Sequence, residues 1–312
     1  MIVKSSFILA LIFLSQFANA QKIETIYLSA SDSTLNLYIV VYPPALPWKG
    51  YAFFIPGMFQ KASDVLLQSD LPVYAAQQGI LSIIPTFKTG IASFGFDTAT
   101  QSSLLEHLKH VRANHKLDGL PFYLGGFSIG GTCAIKYAEL AIKNNYPVKP
   151  AAVFAIDAPL DFEREYKNML RETRLPNSSE DGLAESNYIL NRAKKEFGGS
   201  PFENLAAYYQ LSPYSYNDST QLAIKPLVNL PIRLYTEPDI LWWLGEGVDY
   251  SLMNAFDFAA MTNELKRMGS SKIELITTNN KGYRNPGHKR HPHSWSIVDP
   301  TDLVKWLLNQ NK

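Results

Sequence analysis

Pro121-Phe122-Tyr123-Leu124-Gly125-Gly126-Phe127-Ser128-Ile129-Gly130-Gly131 decides the fold. Its first residues are a short apolar run. The segment after the serine has helical spacing, with Ile129, Cys133, Ala134, Tyr137, Ala138 and Ala141 recurring on one face. Between them lies Gly126-x-Ser128-x-Gly130. In a strand-to-helix setting this motif marks a very sharp turn that holds its serine in a strained conformation. Side chains two positions to either side would collide, hence the two glycines. The strain lifts the serine Oγ above a sheet, within reach of a substrate and a histidine. The same string elsewhere is often a plain Gly/Ser loop. The flanking strand and helix favour the nucleophile reading.

Working outward, strands and helices alternate. Residues 23–29 and 33–43 read as early strands, and 51–55 as a buried strand closed by Pro56-Gly57. A helix is expected over 62–78, with Pro72 a break inside it. A strand comes next at 80–84. Asp97 can cap a helix whose apolar face includes Leu104, Leu105, Leu108 and Val111. The strand 151–156 ends at Asp157. Residues 160–218 are polar, charged and aromatic without a clear buried strand, and read as an inserted cap of helices. The rhythm returns with strand 232–235, a helix over about 250–268 and strand 273–276. Asp299-Pro300-Thr301-Asp302 opens the last helix with an N-cap, a first-turn proline and an acid. Such alternation predicts a mostly parallel sheet covered on both faces, with functional residues at the carboxyl ends of its strands.

A serine needs a base, and the base needs a carboxylate to orient it. His107, His110 and His115 precede the serine strand and read as surface residues. His288, His291 and His293 lie between the last strand and the last helix, where a base belongs if the order is Ser, acid, His. His293, beside Pro292 and Trp295, is the first choice and His291 the reserve. For the acid, Thr236-Glu237-Pro238-Asp239 comes directly after a strand; Asp239 is favoured, with Glu237 second and Asp157 third. Two backbone N–H groups must face the oxyanion: Ile129, directly after the serine, and Met58 in the loop after strand 51–55.

With these residues in this order, nearly the whole chain after residue 20 resembles the α/β-hydrolase superfamily. The resemblance rests on Gly126-Phe127-Ser128-Ile129-Gly130, Pro56-Gly57-Met58, Thr236-Glu237-Pro238-Asp239 and His293. It implies an α/β fold with a central sheet and a cap between the strands ending at Asp157 and Tyr235. It departs from the many members that carry His-Gly at the oxyanion loop, where this chain has Pro56-Gly57. The implied reaction is acyl transfer to water through an acyl-enzyme on Ser128, without cofactor or metal. A carboxylic ester, small or part of an acylated glycan or lipid, is the first substrate reading. A serine peptidase and a non-catalytic binding protein are the alternatives.

The remaining composition narrows partners and compartment. The chain has 312 residues, 46% hydrophobic and 18% charged, with a formal net charge of +1, so nothing global points to nucleic acid. Lys281, Arg284, Lys289 and Arg290 make the histidine loop basic, and read as a solvated charge run. Phe94, Phe96, Tyr208, Tyr209, Tyr214, Tyr216, Trp242 and Trp243 could receive a ring or acyl chain or could simply pack. The single cysteine, Cys133, excludes an internal disulfide and reads as a core residue. Residues 1–20 read as a signal peptide: a basic start, an apolar stretch over 7–17 and Ala18-Asn19-Ala20. The domain would then begin at Gln21, periplasmic or secreted, with no stable membrane span.

Overall fold

The computed structural model describes residues 21–29, 35–176 and 180–310. Residues 1–20, read from the sequence as a signal peptide, lie outside them. Eight strands form one sheet: β1 (Ile23–Tyr27), β2 (Leu37–Val41), β3 (Gly50–Ile55), β4 (Ile80–Thr86), β5 (Phe122–Phe127), β6 (Ala152–Ile156), β7 (Ile232–Thr236) and β8 (Ile273–Thr277). Their order is β1-β2-β4-β3-β5-β6-β7-β8. β2 runs antiparallel to both its neighbours, and from β4 to β8 every pairing is parallel.

Alternation along each strand builds two core layers. On β3, Tyr51, Phe53 and Ile55 enter one layer and Ala52 and Phe54 the other. Each fully buried Phe contributes about 1.5–3 kcal/mol of transfer free energy. The first layer is covered by α3 (Thr98–Asn114), α4 (Ile129–Lys143) and α9 (Ala255–Arg267). The second is covered by α1 (Ala62–Gln68), α2 (Leu71–Gln77) and α10 (Pro300–Asn309). Asp97 caps α3 by accepting from Thr100 N–H, and Asp299 caps α10 by accepting from Thr301 and Asp302 N–H.

Three local expectations change. The helix over 62–78 is two helices: Pro72 cannot donate to a preceding turn, so it sits in the first turn of α2 and the chain bends at Ser69-Asp70. The helix near 250–268 begins at Ala255, after a short 3-10 turn at Tyr250–Leu252. His107 is fully buried rather than superficial, with its ring nitrogens on the carbonyls of Ser103 and Leu37.

Between β6 and β7 the chain is helical: α5 (Phe162–Glu172), α6 (Glu180–Phe197) and α7 (Leu205–Leu211). These helices share an aromatic cluster with Phe94, Phe96 and Ile129, in which Phe197 stacks on Tyr208 at 3.9 Å. Ile129 is the first residue of α4, so these helices are seated against the helix start directly after Ser128. Its root is tied to α9 by buried Asp257, which accepts from the N–H groups of Leu160 and Asp161 and pairs with Arg164.

Candidate active site

Ser128 stands between β5 and α4 with φ 51° and ψ −128°, a conformation that costs on the order of 1–3 kcal/mol for a non-glycine residue. The neighbouring backbone fixes it. Its N–H donates to Ile156 O at 2.8 Å, and its carbonyl accepts from Gly131 and Thr132. A Cβ on Gly126 would lie 2.5 Å from Ile55 O, and one on Gly130 would lie 2.1 Å from the same oxygen. Neither glycine can be replaced without opening the turn.

Asp157 occupies the equivalent place on the next strand. Phe127 and Ile156 are register partners, so Ser128 and Asp157 leave adjacent parallel strands at the same level. Asp157 also has positive φ, 45°. Its N–H donates to Tyr235 O at 2.8 Å and its carbonyl accepts from Asn254 Nδ2 at 2.9 Å. Its carboxylate accepts from Thr236 Oγ1 at 2.7 Å through Oδ1 and meets His293 Nδ1 at 2.7 Å through Oδ2. A carboxylate only accepts, so Nδ1 carries a proton, and in the neutral ring Nε2 is the acceptor. The imidazole packs 4.4 Å from the Phe127 ring, one residue before Ser128. Behind it, Arg284 donates from Nε (3.0 Å) and one terminal nitrogen (2.7 Å) to His293 O.

The favoured acid, Asp239, is not the residue that meets His293. It caps α8 (Ile240–Gly245) by accepting from Trp242 N–H and pairs with Arg290 at 2.6 Å. A tight turn, in which Asp239 N–H donates to Glu237 O at 2.9 Å, carries the Asp239 carboxylate past the strand end to Arg290, on the small hairpin of β9 (Tyr283–Arg284) and β10 (Lys289–Arg290). Glu237, the second choice, is buried and already filled: it accepts from Thr278 Oγ1, Lys281 N–H and Gly282 N–H and pairs with Arg290 at 2.6 Å. The third choice, Asp157, makes the contact. Residue order alone does not separate these three; the turn of Asp157 at positive φ has no sequence signal.

The three histidines of the loop go to three different partners. His288 stacks on Tyr283 at 4.2 Å, and His293 meets Asp157. His291, the reserve base, packs against Trp242 and Trp243. Burial, with Arg284, His293 and Arg290 nearby, pulls its pKa down to about 3, so this ring stays neutral.

The loop after β3 leaves one N–H open. Gly57 N–H donates to Gln60 Oε1 at 3.0 Å and Phe59 N–H to Ile91 O at 2.6 Å. Gln60 Oε1 also accepts from Trp295 Nε1 at 3.1 Å, joining this loop to the His293 segment. Among the described residues no acceptor meets the N–H of Met58 or of Ile129. The two residues line one small cavity of about 30 Å³ with Gly57 and Gly130.

A larger cavity, about 490 Å³, lies between helices α5 and α6 and the ends of β6 and β7 and reaches His293 and Asp157. Of the aromatic residues singled out in the sequence, Trp243 lines it, whereas Phe94, Phe96, Tyr208 and Tyr214 are buried packing residues.

No protein-family profile matches the chain, and no curated protein sequence matches it. Solved structures do. S-formylglutathione hydrolase from Agrobacterium tumefaciens aligns over 93% of this chain and 95% of its own, with 14% identity and a TM-score of 0.55. Carboxyl esterase 2 from the mycorrhizal fungus Tuber melanosporum aligns over 93% and 86%, with 14% identity and a TM-score of 0.56. The acylaminoacyl peptidase of Pyrococcus horikoshii covers 92% of this chain over 40% of its own length, at 12% identity and a TM-score of 0.53. The chain shares the α/β-hydrolase fold of these structures.

Proposed function

We propose that this chain of α/β-hydrolase fold is an exported serine hydrolase that cleaves carboxylic esters through an acyl-enzyme on Ser128. The observation that carries the reading is the 2.7 Å contact of His293 Nδ1 with Asp157, made beside the strained Ser128 turn. Ser128 Oγ attacks the ester carbonyl while His293 Nε2 takes its proton. Asp157 holds the imidazolium that forms. The open N–H groups of Met58 and Ile129 receive the oxyanion. As the intermediate collapses, His293 returns the proton to the departing alcohol. Water, activated by the same ring, then releases the acid and restores Ser128. Ester rather than amide cleavage is favoured by the esterases among the similar structures. Export rests on the sequence of residues 1–20, and the mature N-terminus is expected at Gln21.

The test is hydrolysis of p-nitrophenyl acetate beside a Ser128→Ala control, with fluorophosphonate labelling of both. Ser128→Ala is expected to lower kcat by about 10⁴-fold or more and to abolish labelling. Equal turnover and labelling in both proteins would remove Ser128 from the chemistry.

A further inference from the structure

The cavity that ends on His293 and Asp157 has a marked charge. Away from that pair it is lined by five glutamates: Glu165 and Glu172 of α5, Glu185 of α6, Glu246 after α8, and Glu237, which is already paired with Arg290. Among the described residues no lysine or arginine lines it. The cations close by are engaged elsewhere. Arg164 pairs with Asp257 and donates to Ser251 O, Arg284 holds His293 O, and Arg290 bridges Glu237 and Asp239. Trp243 adds an aromatic face to the wall.

Glu165 is the telling member. Its carboxylate has no hydrogen-bond or ion-pair partner among the described residues, although the side chain is half-buried. Burial first, with Asp257, Glu185 and Asp161 adding and Arg164 opposing, pushes its pKa up to about 7. An unpaired, desolvated carboxylate is costly, and an arriving cation offsets that cost. The carboxylates do not define the ligand space: the cavity is placed by its contact with the His293–Asp157 pair, and they set the charge of what enters.

We infer that this cavity receives a cationic group of the substrate, an ammonium or guanidinium borne by the ester, with Glu165 as the specificity-determining residue and Trp243 as the surface beneath the charge. The inference rests on the hydrolase reading and adds a substrate class to it.

Two matched ester pairs test it, covering the two ends of the substrate: butyrylcholine against 3,3-dimethylbutyl butyrate, and p-nitrophenyl 6-aminohexanoate against p-nitrophenyl heptanoate. In at least one pair the cationic ester is expected to have a kcat/KM about tenfold higher or more. In Glu165→Gln that ratio should fall about fivefold or more. Equal kcat/KM within both pairs, or an undiminished ratio in Glu165→Gln, overturns the proposal. Calorimetric binding of the same pairs to Ser128→Ala separates the two ideas. If no ester is turned over and fluorophosphonate does not label, the hydrolase reading fails. A binding preference for the cationic member would then still uphold the cavity assignment, and equal binding would end it.

Discussion

The carboxyl ends of β6 and β7 lie side by side, and each is succeeded by an acid, yet the two acids do different things. At the end of β6, Asp157 is turned at positive φ so that one oxygen meets His293 and the other accepts from Thr236 of the neighbouring strand. At the end of β7, Glu237 spends its oxygens on two backbone N–H groups, a threonine hydroxyl and Arg290. One carboxylate orients the ring, and the other holds the loop that carries the ring. The difference comes from available donors. Glu237 faces the N–H groups of Lys281 and Gly282, which the chain leaves unpaired on its way to the β9–β10 hairpin. The Asp157 carboxylate faces two side chains, Thr236 and His293, and among the described residues no backbone N–H.

The contrast breaks most visibly through activity. Asp157→Asn is expected to reduce kcat on p-nitrophenyl acetate by about 10³–10⁴-fold, because a neutral amide neither fixes the neutral ring in the tautomer with Nε2 free to accept nor offsets the charge of the imidazolium that forms. Asp239→Asn should change kcat by no more than about threefold, since its carboxylate caps α8 and neutralises Arg290 at a partly exposed position. A large loss in Asp239→Asn with a small one in Asp157→Asn would reverse the roles.

Stability should respond in the opposite sense at Glu237. Replacing it with Gln leaves Arg290 short of its buried partner and two N–H groups facing a weaker acceptor, at a cost of about 2–4 kcal/mol, read as a lowered urea midpoint. A midpoint unchanged in Glu237→Gln would mean that the loop is held by Arg284 and Trp295 alone.

These roles set the limit of what the sequence discloses. Gly126, Ser128 and Gly130 are legible because a sharp strand-to-helix turn tolerates few residue types, and those types are visible in one dimension. Chain order narrows the ring that meets Asp157 to His288, His291 and His293, and the flanking Pro292 and Trp295 favour His293. The carboxylate is not: Asp157, Glu237 and Asp239 all come after strands, and only the backbone turn and the donors brought by distant loops tell them apart. His107 carries a readable signal. It stands three positions after Leu104, one before Leu108 and four before Val111, so it shares their apolar face and is buried with them. The break at Ser69-Asp70 is half visible, since Pro72 fits a first turn as readily as it breaks a helix.

Glu165 extends the comparison to a carboxylate with no donors among the described residues, and its effect on stability should be smaller than that of Glu237 and should depend on pH. Its folded-state pKa, about 7, lies above the ordinary 4.5, so the folded protein holds this proton longer than the unfolded chain does. The stability associated with the protonated form is fully present below about pH 4.5 and is lost as pH rises through about 7. Gln does not titrate. Glu165→Gln should therefore match the native protein in thermal stability at pH 4 and exceed it by on the order of 1–3 kcal/mol at pH 8. The same substitution at Glu237 lowers stability at pH 8, because there the carboxylate has partners to lose. If Glu165→Gln instead destabilises at pH 8, its carboxylate has an internal partner, and the cavity has no unpaired charge to offer a ligand.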